Sequence, residues 1–64
     1  MKRIDSPPVT PETAALIKRL LTKGLFQHQI AGALGINQGR VSEVKTGKLF
    51  PEVPPAAHLP PGLA

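Results

Sequence analysis

QHQIAGALGINQGRVSEVKT, residues 27–46, is the stretch whose reading decides the fold. Apolar side chains fall at Ile30, Ala31 and Leu34 and again at Val41 and Val44, with Ile36 between the two sets. Steps of three and four residues put each set on one face of a helix. Gly35 interrupts the pattern, and glycine tolerates the positive φ that a tight turn demands. Asn37 then offers a side-chain oxygen to cap a following helix, and Gly47 offers a stop. The stretch therefore predicts two short helices, 27–34 and 38–46, joined by a turn whose Ile36 enters the core. Everything polar on the second helix is small, amide-bearing or basic except Glu43. Helices this short are not stable alone in water, so both must be held by packing.

The element to pack on lies upstream. Thr10-Pro11-Glu12 supplies a capping hydroxyl, a proline at the first helical position and an acid at the positive end of the helix dipole. Ala14, Ile17, Leu20, Leu21 and Gly24 then recur at helical steps, widened by Leu16, with Lys18, Arg19, Thr22 and Lys23 on the other face. This predicts a helix over 11–23, ended by Gly24. Leu25 and Phe26 lead into the next helix, and Phe26 and Phe50 are both assigned to the core. Leu49 and Phe50 are expected to fold back over its open end.

Proline placement sets the limits of the domain. All eight prolines lie at or before Pro11 or from Pro51 onward, and proline costs about 3 kcal/mol inside a helix. The expected organisation is an N-terminal arm (1–9), an all-α three-helix domain (10–50) and a proline-rich, polyproline-like tail or linker (51–64). Lys2 and Arg3 on the arm could reach a minor groove, although termini ordinarily fray.

A chain of 64 residues forms one domain at most, with a net stability of roughly 3–5 kcal/mol unless it is stapled. It has no cysteine, so disulfides, thiolate metal sites and cysteine nucleophiles are excluded. Eight Lys+Arg against four Asp+Glu give a formal +4 and a pI near 10.2, which suits a polyanionic partner, nucleic acid or anionic lipid. Excess positive charge also simply keeps small proteins in solution. No apolar run reaches a membrane-spanning length, and MKRIDSPP lacks the apolar core of a secretory signal, so a cytoplasmic protein is expected.

The spacing of Ala31, Gly35, Val41 and Val44, with Ile30, Leu34 and Ile36 apolar around them, resembles the helix-turn-helix of bacterial and phage regulators. The run GLFQHQIAGALGINQGRVSEVKTGK is similar to the repressor-type version, in which GL(S/T)Q…IA…LG(I/V)…VS…GK recurs; the resemblance spans about residues 17–48. It implies a three-helix bundle containing a helix-turn-helix, with the third helix laid in the major groove of double-stranded DNA. The chain departs from the pattern twice. Phe26 stands where Ser or Thr caps the second helix, and Pro51, Pro54 and Pro55 follow where further, dimer-forming helices usually continue. A three-helix core of the homeodomain or recombinase type is the more economical expectation.

The residue chemistry fits that implication. With Val41 and Val44 inward, the base-contact candidates are Asn37, Gln38, Gly39, Arg40, Ser42 and Glu43. Gln38 can bond adenine in a bidentate way, Arg40 can do so with guanine or bind a phosphate, and Ser42 suits either. Gly39 lets the backbone approach closely. Glu43 could accept from cytosine, but pairing with Arg40 or Lys45 is preferred, because a lone carboxylate is repelled by phosphates. Gln27, Lys18, Arg19, Lys23, Lys45, Thr46 and Lys48 are phosphate-contact candidates, which fix position rather than sequence. The implied function is transcriptional regulation or the DNA-binding module of a mobile-element protein, as a homodimer or with a larger protein partner. The competing class is a protein-interaction module docking through the third helix or the proline-rich tail.

Other chemistry has little footing. Gly32–Gly35 matches the GxxG of KH domains, but no strand pattern flanks it. Gly47-Lys48 lacks the upstream glycine of a phosphate loop. His28 and His58 stand apart without companion ligands, so no metal or cofactor is expected. The four acids are scattered and no nucleophile–base pair is evident, so an enzyme is not expected.

Overall fold

The computed structural model describes residues 9–63, and the proposed arm residues Lys2 and Arg3 lie outside them. Three helices form in the order α1 (Pro11–Thr22), α2 (Gln27–Leu34) and α3 (Gln38–Thr46), with no strand among the described residues. They pack pairwise into an all-α three-helix bundle, and α3 lies against both α1 and α2.

Local chemistry sets each boundary. Thr10 caps α1 by accepting from the Thr13 N–H at 3.2 Å, with Pro11 just behind it. At the other end the expected last residue, Lys23, falls outside the helix. Its N–H reaches the carbonyls of Arg19 and Leu20 at 3.2 and 3.1 Å, which closes α1 at Thr22, with Lys23 as its cap. Gly35 sits at φ +67 and ends α2, and the Ile36 N–H then returns to the Ala31 carbonyl at 3.0 Å. That six-to-one bond turns Ile36 into the core. Nothing lies within 4 Å of a Cβ built at Gly35, so its requirement is conformational rather than steric. The same device closes α3, where Gly47 has φ +86 and the Lys48 N–H returns to the Glu43 carbonyl at 2.9 Å.

The core consists of Ala14, Ile17 and Leu20 from α1, Ile30 and Ala31 from α2, Ile36 from the turn, and Val41 and Val44 from α3. Small Ala31 lets the helices approach closely. Leu21, Leu25, Leu34, Leu49 and Phe50 pack around this centre, so Leu49 and Phe50 do cover its open end. Val9 packs there too, so the bundle begins one residue inside the expected arm.

Residues 51–63 depart from the expectation of a free tail. They have no helix or strand, but they return along α1. Phe50 takes a left-handed φ of +49, and a turn follows in which the Val53 N–H bonds the Phe50 carbonyl at 3.2 Å. The Lys18 ammonium donates to the carbonyls of Phe50 at 2.7 Å, Pro51 at 3.5 Å and Val53 at 2.5 Å. Further on, the Ala56 N–H donates to the Ala15 carbonyl at 3.0 Å, and Leu59 packs against the core. Ala15 and Lys18, three residues apart on one flank of α1, thus act as a fastening for the segment. Proline-rich chain has few N–H donors to form its own structure, so its free carbonyls are satisfied by a cation from the bundle.

Replacing Lys18 with Met keeps the aliphatic stem and removes the three donors. Hydrogen bonds to a charged group contribute about 1.5–3 kcal/mol, so Lys18→Met should destabilise the fold by about 1–3 kcal/mol. Hydrogen exchange at Val53 and Ala56 should rise ahead of that in α3. Unchanged exchange at those two amides would show that the fastening does not hold the segment.

Candidate nucleic-acid interface

Burial of Val41 and Val44 fixes how α3 is rotated. Val41 is fully buried and Val44 is 2% exposed, while Asn37, Gln38, Gly39, Arg40, Lys45 and Thr46 are exposed and Ser42 and Glu43 half-buried. Asn37, Gly39, Arg40, Ser42 and Glu43 line one shallow depression along the outward side of α3. Gln38, the sixth base-contact candidate, lies apart from them. It shares an open groove with Lys45 from α3, Gln27 and His28 from α2, and Leu21, Leu25 and Phe26 from the α1 end and connector. The structure thus brings Gln38 together with two phosphate candidates, Gln27 and Lys45.

Within the depression the polar groups are partly committed. Arg40 Nη1 donates to Glu43 Oε1 at 2.7 Å, so of the two pairings expected for Glu43 the one with Arg40 forms. The Arg40 and Glu43 side chains are 55% and 37% exposed, and a pair this open contributes about 0–1 kcal/mol to stability. Its effect is on where the guanidinium points. Asn37 Oδ1 accepts from the Gly39 N–H at 2.6 Å, capping α3 and committing one lone pair of that oxygen. The Thr46 hydroxyl bonds back to the Ser42 carbonyl at 3.0 Å.

The cap explains Gly39 without DNA. A Cβ on Gly39 would stand 3.0 Å from Asn37 Oδ1, closer than such contacts ordinarily come. Close backbone approach to DNA is therefore not required to account for this glycine. The Asn37-x-Gly39 spacing carries this cap in the sequence itself.

The cations expected on α1 are distributed unevenly. Lys18 donates to the carbonyls of Phe50, Pro51 and Val53, so its ammonium is engaged within the fold. Arg19 is half-buried, with its Nε shielded and without a partner. Lys23, Lys45 and Lys48 are exposed.

Phe26 departs from the expected core: it is 68% exposed, while Phe50 is half-buried against the core. Phe26 occupies the N-cap position of α2, where it has no acceptor to offer. The gap is half-filled from the other side: Gln29 Oε1 accepts from the Phe26 N–H at 2.8 Å. Phe26 also lies parallel to His28, with ring centroids 5.9 Å apart and planes 7° from parallel. Neither feature was visible in the sequence, because a lone Phe in a connector reads as core.

Comparison with protein-family models, with curated proteins and with solved structures found no match to this chain.

The Asn37–Gly39 contact gives a test by thermal unfolding. Asn37→Ala removes the cap and should cost about 1 kcal/mol. Gly39→Ala should be neutral or destabilising while Asn37 is present, yet stabilising by up to about 1 kcal/mol once Asn37 is Ala, because helix propensity then acts unopposed. Additive effects in the double variant would show that the cap does not set the residue at 39.

Proposed function

We propose that this chain binds double-stranded DNA through α3 in the major groove and acts in the cytoplasm as a transcriptional regulator or as the DNA-binding module of a mobile-element protein. The observation that carries the reading is the juxtaposition on α3. An inner face of Val41 and Val44 is locked into the bundle, and an outer face of amide, hydroxyl and guanidinium groups protrudes beside the turn at Gly35. A nine-residue helix projecting from such a turn is a shape the major groove admits. Its exposed Arg40 suits the N7 and O6 of guanine and Gln38 the edge of adenine, while Lys45 and Lys48 near the C-terminal end suit phosphates.

Glu43 gives the reading a specific form. By pairing with Arg40, it weakens loose attraction to any phosphate and biases the direction of the guanidinium. A helix that only clung to polyanions would have no use for an acid there.

The competing reading, a protein-docking module, loses part of its basis. The carbonyls of Phe50, Pro51 and Val53 are engaged by Lys18, so the proline-rich segment is not presented as a free ligand. Docking through α3 itself stays open to the same experiment.

Titration of the protein with duplex DNA across salt tests the proposal. Lys23, Lys45 and Lys48 make about three phosphate-range cations, for a log–log slope of about −2 to −3. On a selected preferred site, Arg40→Ala and Gln38→Ala should reduce discrimination by about 1–3 kcal/mol each, while Lys48→Ala weakens all sequences alike and shallows the slope by about one. Absence of duplex binding at low salt would reject the proposal, and equal losses on all sequences would remove α3 as the reader.

A further inference from the structure

The fold makes no use of the Phe26 ring. Leu25 before it packs against the core that holds Ile30, and Gln29 returns to the Phe26 N–H. These two contacts define the start of α2 as a staple and half a capping box. The ring itself is exposed, stacks on His28, and stands where a serine or threonine hydroxyl would cap the helix. An apolar residue that displaces a cap and faces water is a cost to the folded protein alone.

Its surroundings indicate what covers it. Among the described residues the groove beside the ring is lined by Leu21, Leu25, Gln27, His28, Gln38 and Lys45, which supply apolar, amide and imidazole groups and a cation, with no acid. Among the described residues no side-chain oxygen caps the start of α2, whose first two residues, Gln27 and His28, also line the groove. Apolar surface beside a cation and side-chain amides matches a chain of deoxyribose rings and phosphates rather than a basic or wholly apolar partner. We propose that one strand of bound duplex DNA crosses this groove, with a sugar ring packed on the Phe26–His28 stack and the adjacent phosphate against Lys45. This rests on the DNA-binding reading and extends it: Phe26 is a positioning contact to the strand, and it sets the depth at which Gln38 enters the groove.

The proposal makes fold and binding respond in opposite directions. Phe26→Ser gains a cap and loses the ring, so its Tm should rise by roughly 4–8 °C. Its affinity for a labelled mixed-sequence duplex of about 20 base pairs should fall by about fivefold or more, as expected from losing half the burial of a phenylalanine ring. The salt slope should not change, because no charge is removed, whereas Lys45→Ala should shallow it by about one. Phe26→Ala should lose the same affinity without the gain in Tm, and Phe26→Tyr, which keeps the ring, should keep the affinity. Wild-type affinity in both Phe26→Ser and Phe26→Ala would overturn the proposal and leave DNA binding standing. So would a change confined to the sedimentation of the free protein, which would give the ring to a second copy of the chain. A wild-type protein that bound no duplex would remove the DNA reading itself, and this inference with it.

Discussion

Two valines on α3 carry the arrangement. Val41 and Val44 are the inward anchors of a helix with little other apolar surface, and α1 and α2 pack on them together. Their burial decides the rotation of α3, and the rotation decides that Gly39, Arg40, Ser42, Glu43 and Thr46 face away from the core. Neither valine could hold the helix unless the chain reversed direction sharply before it. The left-handed Gly35 and the buried Ile36 supply that reversal, and Asn37 starts the new helix at once.

A core of eight buried residues in so short a chain is marginal, and the rest of the structure compensates without enlarging it. Each helix ends against a glycine of positive φ, so orphan carbonyls are satisfied within a residue or two. The segment after Phe50 adds Leu59 and the Lys18 fastening, closing the side of α1 that the other helices leave open. That segment also consumes a cation. The protein thus gives up one basic residue to structure while keeping Lys23, Lys45 and Lys48 exposed.

Much of the bundle could be read from residue order, because its signals are local. Thr10-Pro11, Gly35, Asn37 and Gly47 each act within one turn of the chain, and α2 and α3 have the limits their spacing predicts. What could not be read depends on contacts across the chain or on the absence of a contact. Residues 51–63 lack any period, so their return along α1 rests on Lys18, more than thirty residues away, which in sequence is one more surface lysine. Phe26 was assigned inward because hydrophobicity is the only sequence signal of burial, and nothing local tells that Leu25 takes the inward place instead. Of the candidate site, the face of α3 was legible from Val41 and Val44. The partnering of Arg40 with Glu43 was legible only as one of two options, since Lys45 is also close in sequence.

The outward face of α3, flanked by the start of α2, is the proposed seat of duplex DNA. Backbone amide NMR during titration with duplex DNA tests it residue by residue. The largest shifts are expected at Asn37–Ser42 and at Gln27–His28, with Val53, Ala56 and the outer flank of α1 nearly still. Shifts concentrated on α1 and residues 51–63, with α3 silent, would contradict that placement.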